Sequence, residues 1–426
     1  MRLAGARTGG VAGIGLAIAI ASVAGYVLLA LVGRLLAPAE FALFVAFWGV
    51  IFGIGGSLST IEQELARHAS ARSSEDEPAI GAISVAAAGF AALAAAVTMI
   101  PSVAQRLYGS SGTGAGLVVL VAAIGFAVQF AVRGQLVGSG ATRGYSWLVV
   151  AEAAVRLVLL LALALAGRVT LTGAAIAVAA GSFAWLPWFG RALGIVAATA
   201  HRPAGWLRAA SRSASLMVGA ALTASVITGF PALVTALTGT PPGAAGGAVF
   251  AALTISRLPL LLVSPVQAVA VPTVVRWQSD PRAGRGRLQR VLLLGTVGTV
   301  GVGLLGAVVG WLLGPRVVRL VYGSAYDVPE FAVALLVLSA FLLAWVLLMS
   351  AALIALSAHR QMILMWLAAA GTTAVWLVVS PLDVVATTAT GSLAGPVAAI
   401  AYGLPVLWAR AARSKTGPVV PEPFAG

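Results

Sequence analysis

The chain has 426 residues, of which 60% are hydrophobic and 9% are charged, and its mean hydropathy is +1.03. Because soluble globular proteins carry about 25% charged residues, this composition excludes a soluble fold and indicates an integral membrane protein. The sequence contains no cysteine, which excludes disulfides, thiolate metal sites and cysteine nucleophiles. The net charge of +14 does not indicate nucleic-acid binding, because the basic residues are spread through short loops between apolar segments.

Twelve apolar segments are long enough for a helix to cross about 30 Å of hydrocarbon. The first follows Arg2 and Arg7 and contains Ala19-Ile20-Ala21, as a signal peptide does, but it is too long for one and is interpreted as a retained helix. The sequence therefore predicts an all-α protein of about twelve transmembrane helices. The predicted limits are 11–36, 40–61, 79–101, 115–138, 145–167, 170–190, 213–237, 247–272, 288–313, 329–356, 361–381 and 386–409.

The distribution of basic residues predicts the orientation. With an even number of spans both termini lie on one side, and nineteen arginine and lysine residues fall in loops on that side against five on the other. Positive residues accumulate on the cytoplasmic side of membrane proteins. We therefore predict a multi-pass protein of the cytoplasmic, or inner, membrane with both termini in the cytoplasm.

The chain also shows an internal repeat. Tyr-Gly-Ser at 108–110 recurs at 322–324, Ser-Gly-Ala-Thr-Arg at 139–143 resembles Ser-Ala-His-Arg at 357–360, and Arg-His-Ala-Ser at 67–70 resembles Arg-Trp-Gln-Ser at 276–279. These offsets are close to half of the chain, which indicates two six-helix lobes in parallel orientation. The predicted divisions are an N-terminal lobe at 1–194, a cytoplasmic linker at 195–212, a C-terminal lobe at 213–410 and a cytoplasmic tail at 411–426.

Two sequence motifs carry a resemblance to a known family. The first is Gly33-Arg34-Leu35-Leu36-Ala37-Pro38-Ala39-Glu40-Phe41-Ala42-Leu43-Phe44. The second is Val321-Tyr322-Gly323-Ser324-Ala325-Tyr326, followed by a long span that closes on Leu356-Ser357-Ala358-His359-Arg360. With the span count and the duplication, the chain resembles the multidrug/oligosaccharidyl-lipid/polysaccharide exporter superfamily, and within it the polysaccharide-biosynthesis flippase branch.

The resemblance implies a MATE-like fold with two six-helix lobes that work by alternating access. It also implies a substrate, a polyprenyl-phosphate-linked sugar or polysaccharide precursor that is moved across the membrane. Membrane lipids and the substrate are then the expected partners, with glycosyltransferases or a polysaccharide polymerase as accompanying enzymes. Neither a cofactor nor a metal is implied, and the chain is not expected to be an enzyme.

The same motifs also have a structural explanation that needs no substrate. Pro38 is suited to the first position of a helix, and Glu40 in the first turn favours the helix dipole. Arg34 can extend to the outer interface. Tyr108 and Tyr322 are predicted to be interfacial aromatic residues, each followed by a turn glycine.

Ionisable residues deep in a membrane are costly and are candidates for function. Glu152 and Arg156 lie four residues apart on one helix face, while Arg257 is ten residues into the eighth span. We predict that the two arginines face one cavity and hold a phosphate through their donor forks. The alternative is that Glu152 and Arg156 neutralise each other as a structural pair. The substrate-binding candidates are Arg257, Arg156, Glu152, Arg34, Gln129 and Gln267.

Two further patterns predict local features. The acidic residues that follow the second span form either a solvated loop or a gate that pairs with Arg276 or Arg282. Internal prolines predict kinks in the seventh and eighth spans, and a polar arc predicts that these spans face a wet interior. The acidic residues are Glu62, Glu64, Glu75, Asp76 and Glu77, the prolines are Pro231, Pro259, Pro265 and Pro272, and the arc is Thr223, Ser225, Thr228 and Thr235.

Three functions other than a flippase remain open. A cation-coupled multidrug antiporter needs a membrane carboxylate, and Glu152 is the only deep acid that the predicted spans supply. A membrane glycosyltransferase or polymerase needs positioned acids and substantial outer loops, whereas the outer loops here are short. A scaffold that keeps the fold without transporting is the third alternative.

Overall fold

The computed structural model describes residues 2–71, 77–200, 205–238, 242–263, 266–267, 273 and 284–413. Within these residues every regular element is a helix, and twelve helical segments are long and apolar enough to cross a membrane. The predicted all-α fold with about twelve spans is therefore confirmed.

The first half of the chain contains eight α-helices and three short 3₁₀ turns. The α-helices are α1 (Arg2–Leu35), α2 (Pro38–Ala71), α3 (Glu77–Thr98), α4 (Pro101–Tyr108), α5 (Gly112–Gly138), α6 (Thr142–Leu165), α7 (Leu171–Ala180) and α8 (Phe189–Thr199). The 3₁₀ turns are Gly109–Ser111, Gly181–Phe183 and Leu186–Trp188.

The second half contains seven α-helices and one 3₁₀ turn among the described residues. The α-helices are α9 (Trp206–Ile227), α10 (Phe230–Leu237), α11 (Gly243–Ser256), α12 (Gly284–Tyr322), α13 (Glu330–Ala355), α14 (His359–Val379) and α15 (Val384–Arg413). The 3₁₀ turn Leu258–Leu262 follows α11.

Local sequence explains where several helices begin and end. Pro38 opens α2, and the Thr170 hydroxyl caps α7 by accepting from the Gly173 amide at 3.0 Å. Gly109 and Gly323 have φ of 62° and 111°, a conformation that glycine adopts without steric cost. The two Tyr-Gly-Ser motifs are therefore turns, as predicted.

The tyrosines of these motifs are not exposed on the surface of the protein. Tyr108 and Tyr322 are both almost completely buried, and the Tyr322 hydroxyl is 2.8 Å from the Thr254 hydroxyl. The prediction that these rings are exposed to lipid headgroups was wrong, because each ring packs against Phe47 or Phe41 inside the protein.

Helices pack in equivalent pairs in the two halves. In the first half α1 packs on α6, α5 packs on α2, α3 and α7, and α6 packs on α7. The corresponding helices of the second half pack in the same way: α9 on α14, α13 on α11, α12 and α15, and α14 on α15. The boundaries at 194 and 213 remain predictions, and Arg276 and Ser279 of the third repeat lie outside the described residues.

The halves meet mainly through α2, which packs against α9, α10 and α11. Small residues allow this close approach: a Cβ at Gly247 would overlap the Pro38 carbonyl, and one at Gly56 would lie 3.2 Å from the Ala224 methyl. We call the end of the bundle where α1 turns into α2 the Pro38 end, and the opposite end, where α5 turns into α6, the Arg143 end.

The kinks that the prolines predict are present where the structure describes them. The seventh span breaks between α9 and α10 at Thr228 and Gly229, with Pro231 in the first turn of α10. The eighth span changes from α-helix to 3₁₀ turn at Arg257, with Pro259 in that turn. Pro265 and Pro272 lie outside the described residues.

Several span limits differ from the prediction. The second span continues to Ser70 and the sixth to Thr199, because each helix extends beyond its apolar core by several polar or small residues. Glu62 therefore lies within the second transmembrane helix and not in the following loop. Arg133 lies within the fourth span, Gly114–Gly138, and not in the cytoplasmic loop with which the count of basic residues had placed it.

Candidate functional site

A cavity of about 630 Å³ lies between the two halves. Its wall is formed by α1, α2, α5 and α6 from the first half and by α9, α10, α11 and the following 3₁₀ turn from the second. This size is typical of cavities for small-molecule ligands. The lining runs along α2 from Val45 to Gln63, a distance of about 27 Å at 1.5 Å per residue.

Arg257 lies on the second-half wall of this cavity, at the point where α11 ends. Its guanidinium donates to the carbonyl oxygens of Ile227 and, at 3.1 Å, of Val226. These carbonyls belong to the end of α9, where the helix break leaves them without helical partners. Arg257 therefore satisfies the broken end of the seventh span while it faces the cavity.

Arg257 has no acidic partner among the described residues. None of the ion pairs found in the described ranges includes it, and its guanidinium carbon lies 5.7 Å from the centre of the Phe230 ring. Neutral carbonyl groups accept its hydrogen bonds but do not cancel its charge. Within the described part of the second-half wall, this positive charge is therefore uncompensated.

The first-half wall carries a charged cluster centred on Glu152. One carboxylate oxygen accepts from Gln129 at 2.7 Å and from Arg133 at 2.6 Å, while the other accepts from Arg156. Arg133 also lies 3.9 Å from the Glu62 carboxylate. The side chains of Glu152, Arg156 and Arg133 are 9%, 8% and 11% exposed, so these charges are paired away from bulk water.

Arg156 is held by more than its carboxylate partner. Its Nε donates to the Val178 carbonyl at 3.3 Å, and its guanidinium lies 4.7 Å from the centre of the Phe52 ring. A Cβ at Gly181 would overlap its side chain, so the neighbouring backbone fits closely around the arginine. The alternative interpretation, in which Glu152 and Arg156 form a structural pair, matches this geometry.

The charges of the lining side chains indicate which kind of ligand the cavity favours. The ionisable side chains of arginine and glutamate in its lining are Glu62, Arg133, Glu152, Arg156 and Arg257, which gives three positive and two negative charges. The first-half cluster is neutral, so the net charge of +1 resides on Arg257. A cavity of this kind favours an anionic ligand.

The structure brings together only some of the predicted site residues. Arg257, Arg156 and Glu152 line the same cavity, as the sequence predicted for the two arginines. Gln129 is fully buried behind the lining and orients Glu152. Gln267 donates to the Leu347 carbonyl at 2.9 Å, which joins its segment to α13 and not to the cavity lining.

Arg34 does not line the cavity between the halves, where a substrate would contact it. Its guanidinium donates to the carbonyl oxygens of Val321, at 2.7 Å, and Leu320. These are unsatisfied carbonyls at the end of α12, to which a cation is attracted. Arg34 is absent from the cavity lining because its donors are used in this contact between helices.

Sequence reasoning missed Arg133 and Glu62, which it assigned to loops. A signal was present: Gln129 and Arg133 are four residues apart on α5, as Glu152 and Arg156 are on α6. Residues at this spacing lie on one helix face, so two polar pairs on adjacent spans predict a cluster. Glu152 is likewise not the only acid within the described spans.

The other polar features have mixed outcomes. Of the predicted arc, Thr228 lines the cavity, while the Ser225 and Thr235 hydroxyls donate to carbonyls of their own helices. Glu64 pairs with Arg67 at 2.6 Å. The proposed gate partners Arg276 and Arg282, with Glu75 and Asp76, lie outside the described residues.

Solved structures with the same arrangement of helices include multidrug transporters. An inward-facing multidrug resistance MATE family transporter of the MOP superfamily aligns with 93% of this chain and 96% of its own, with a TM-score of 0.67 and 14% identity. The chain has the MATE fold. The lipid II flippase MurJ in an inward closed conformation aligns with 94% of this chain and 90% of its own, with a TM-score of 0.62 and 12% identity.

Sequence relatives extend over nearly the whole chain. The uncharacterized protein Rv3630 of Mycobacterium tuberculosis is 29% identical over 418 residues, which cover 94% of this chain and 92% of the relative. No family model matches the sequence. The likeness to MATE transporters and MurJ therefore defines the fold, and the function has to be argued from the cavity.

Proposed function

We propose that this protein is a membrane flippase that moves a polyprenyl-phosphate-linked sugar or polysaccharide precursor across the cytoplasmic membrane by alternating access. The observation that carries the proposal is Arg257, a cavity-lining cation without an acidic partner among the described residues. A phosphate or diphosphate on a lipid carrier supplies the anion that this position lacks.

The geometry of Arg257 supports contact with a phosphate. A guanidinium has five N–H donors, and two of its nitrogens already bond to the carbonyls of Val226 and Ile227. The remaining donors are available to oxygens of an anion, which accept charge-assisted hydrogen bonds strongly. The carbonyl contacts also fix the orientation of the guanidinium, so less side-chain freedom is lost when the anion binds.

The fold supports transport between two halves. Both the MATE transporter and MurJ share the arrangement of this chain, and MurJ is described as a lipid II flippase. In the present structure the halves are in contact at the Pro38 end, where Gly247 lies against Pro38. The cavity lining extends from there towards the Arg143 end, with Glu62 and Arg133.

A cation-coupled multidrug antiporter is the second candidate, because Glu62 and Glu152 place carboxylates in the cavity wall. The pairing of these acids argues against it. Glu152 accepts hydrogen bonds from both Arg133 and Arg156, so its charge is already compensated. The residual charge of the described cavity is positive, which opposes a cationic drug.

The test is lipid binding by the purified full chain in detergent. Undecaprenyl phosphate and undecaprenyl diphosphate are titrated against the neutral undecaprenol, and ethidium serves as the cationic probe. We expect both phosphates to bind more tightly than the alcohol. Arg257→Ala should remove this preference, and Arg257→Lys should reduce it about tenfold because the ammonium cannot reproduce the planar donor fork.

The matched control is Arg316→Ala, which removes an exposed arginine on α12 outside the cavity lining. This variant should bind the phosphates as the unaltered protein does. Equal binding of undecaprenol and undecaprenyl phosphate, or unchanged phosphate binding by Arg257→Ala, would disprove the role of Arg257. Tight ethidium binding that depends on Glu152 would favour the antiporter instead.

In cells the same proposal concerns the precursor pool. Depletion of the protein should cause a lipid-linked sugar to accumulate on the cytoplasmic face without specific hypersensitivity to cationic dyes. The measurement is extraction of lipid-linked intermediates beside dye efflux in one strain. Unchanged intermediates with lost dye efflux would reverse the order of the two candidates.

A further inference from the structure

A second cavity, separate from the one between the halves, lies between α1 and α6 on the face that points away from the first cavity. It has a volume of about 470 Å³. We call it the α1–α6 groove; it is lined by Gly13, Leu16, Ala17 and Ile20 of α1 and by Thr142, Arg143, Ser146, Trp147 and Val150 of α6. None of these residues lines the cavity between the halves, so the groove is a distinct site.

The groove exists because small and large residues alternate along α1. Gly13 and Ala17 are one helical turn apart and leave space over α6, while Leu16 and Ile20, also one turn apart, form a wall. Together with the run from Arg143 to Val150 on α6, the lining extends over about two helical turns, roughly 11 Å. The apolar walls and the length of the groove are suited to a hydrocarbon chain.

The exposure of the wall residues indicates that the groove faces the membrane. Leu16, Ile20 and Trp147 are 63%, 46% and 68% exposed in the isolated chain. Exposed apolar side chains on a transmembrane helix lie against lipid. A lipid chain therefore has direct access to the groove from the bilayer.

The charged residue of the groove lies at one end of it. Thr142 and Arg143 begin α6, so they lie at the Arg143 end of the bundle, where the helix leaves the membrane, whereas Val150 lies two turns deeper. Arg143 is exposed and takes part in none of the ion pairs of the described residues. No acid is among the described residues of the lining. Charge complementarity thus calls for an anion beside Arg143.

We infer that the α1–α6 groove binds one anionic phospholipid, with an acyl chain against Leu16, Ile20 and Trp147 and its phosphate beside Arg143. Arginine near a membrane surface attracts anionic lipids, and tryptophan is suited to the boundary between headgroups and chains. This inference is independent of the proposed substrate, because it concerns a different surface and a structural lipid.

Binding there has a consequence for α1. This helix packs mainly against α6 and has few contacts with α2 and α12. Ile18 and Ala21 of α1 face the cavity between the halves, while Ala17 and Ile20 face the groove. A lipid in the groove would bridge α1 and α6 from the bilayer side and hold the cavity wall in place.

The test uses the full chain reconstituted in phosphatidylcholine vesicles. Dibrominated phosphatidylglycerol or dibrominated phosphatidylcholine is added, and tryptophan quenching is measured. The component from the groove is the part of the quenching that Trp147→Phe removes. We expect this component to show about fivefold preference for phosphatidylglycerol, which corresponds to one surface arginine.

Two variants probe the two ends of the groove independently. Arg143→Gln should abolish the preference for phosphatidylglycerol. Gly13→Leu should reduce quenching by both lipids, because only the Ser146 hydroxyl lies near a Cβ at this position, at 3.9 Å, and the larger side chain fills the slot.

Each variant has a matched control. Arg360→Gln removes the exposed arginine in the first turn of α14, the counterpart of α6, and Gly15→Leu adds the same side chain at a position of α1 with nothing within 4 Å of its Cβ. Both should behave as the unaltered protein.

Equal quenching of the Trp147 component by the two lipids would disprove the inference, as would equal losses in a variant and its control. If undecaprenyl phosphate displaces phosphatidylglycerol from the groove at a lower mole fraction, the site belongs to the carrier lipid and the assignment to phospholipid is wrong. Arg257 variants should leave the groove signal unchanged.

Discussion

The Tyr326 hydroxyl donates a hydrogen bond of 2.6 Å to the Gly33 carbonyl oxygen, joining segments that are 293 residues apart. The neighbouring Arg34 guanidinium donates to the Val321 carbonyl at 2.7 Å, and the Phe41 ring lies 5.6 Å from that of Tyr326. These contacts connect the first half to the second at the Pro38 end. They would have to separate if the halves open there.

We therefore expect Tyr326→Phe to favour opening at the Pro38 end. A hydrogen bond contributes about 1 kcal/mol, so its loss should raise the open-to-closed ratio about fivefold. The chain has no cysteine, and spin labels at Ala39→Cys and Ala325→Cys, both exposed, can report the distance between the halves. Tyr402→Phe on α15 serves as the control, and an unchanged distance distribution in Tyr326→Phe would contradict the prediction.

The same contact should be insensitive to pH in the physiological range. Burial raises the pKa of the Tyr326 hydroxyl above its ordinary value of 10.0, so the group remains protonated and able to donate. A raised tyrosine pKa means that this contribution is complete below about pH 10 and is lost only as pH rises further. The spin-label distances should therefore be the same at pH 6 and pH 8.

Glu152 should be essential for stability, since it is the common partner of Arg133 and Arg156. Glu152→Gln leaves Arg156 without an acidic partner and leaves Arg133 with Glu62 alone, and breaking a buried pair in this way costs about 3 kcal/mol. The free energy of unfolding of the purified protein measures this cost.

The combined variant Glu152→Gln/Arg156→Gln should recover part of the loss, because it leaves only Arg133 to be compensated, and Glu62 lies 3.9 Å away. Glu330→Gln, an exposed acid in the first turn of α13, is the control and should change stability little. A double variant that is less stable than Glu152→Gln would contradict this expectation. It would show that Arg156 stabilises the protein through its carbonyl and ring contacts even without its carboxylate partner.

Gly247 should tolerate no side chain, because an added Cβ would overlap the Pro38 carbonyl where α11 meets α2. We expect Gly247→Ala to lower the free energy of unfolding by about 1–3 kcal/mol, the usual cost of overpacking. Gly298→Ala on α12 has nothing within 4 Å of its Cβ and should be neutral or slightly stabilising. Equal thermal unfolding midpoints for the two variants would contradict the prediction. They would mean that α11 and α2 can move apart to accommodate the added methyl group without loss of stability.

The orientation is testable with reporter fusions. The excess of basic residues predicts cytoplasmic signals at His201 and Arg413 and external signals at Ser111 and Asp327. His201 lies outside the described residues, but its side of the membrane is fixed by the number of spans that precede it. A reporter at His201 on the same side as one at Ser111 would rule out the predicted topology.

The sequence predicted the fold well because the membrane restricts the possible structures. Apolar runs of about 20 residues must form helices in hydrocarbon, where backbone groups have no other partners. For the same reason, Pro231 and Pro259 predicted breaks in the helices, and the structure places these breaks at the ends of α9 and α11. Helix ends were less predictable, because α2 and α8 extend beyond the apolar runs.

The site was predictable only in part. Local spacing placed Glu152 and Arg156 on one face of α6, and depth along the helix placed Arg257 near the same level. It did not reveal that Arg133 reaches Glu152 from α5, since this contact joins residues 19 apart in sequence through side-chain packing. Nor did it predict that the donors of Arg34 are used by carbonyls of α12.

The sequence by itself thus determined that this is a helical membrane protein with about twelve spans and a few deep charges, because hydrophobic length and charge cost depend on composition alone. The tertiary structure decided which charges cancel. Glu152 is surrounded by donors from two helices, whereas the hydrogen bonds of Arg257 among the described residues go to the carbonyls of a broken helix. That difference arises from distances between helices, which no local sequence pattern specifies, and it leaves one uncompensated cation in the described cavity.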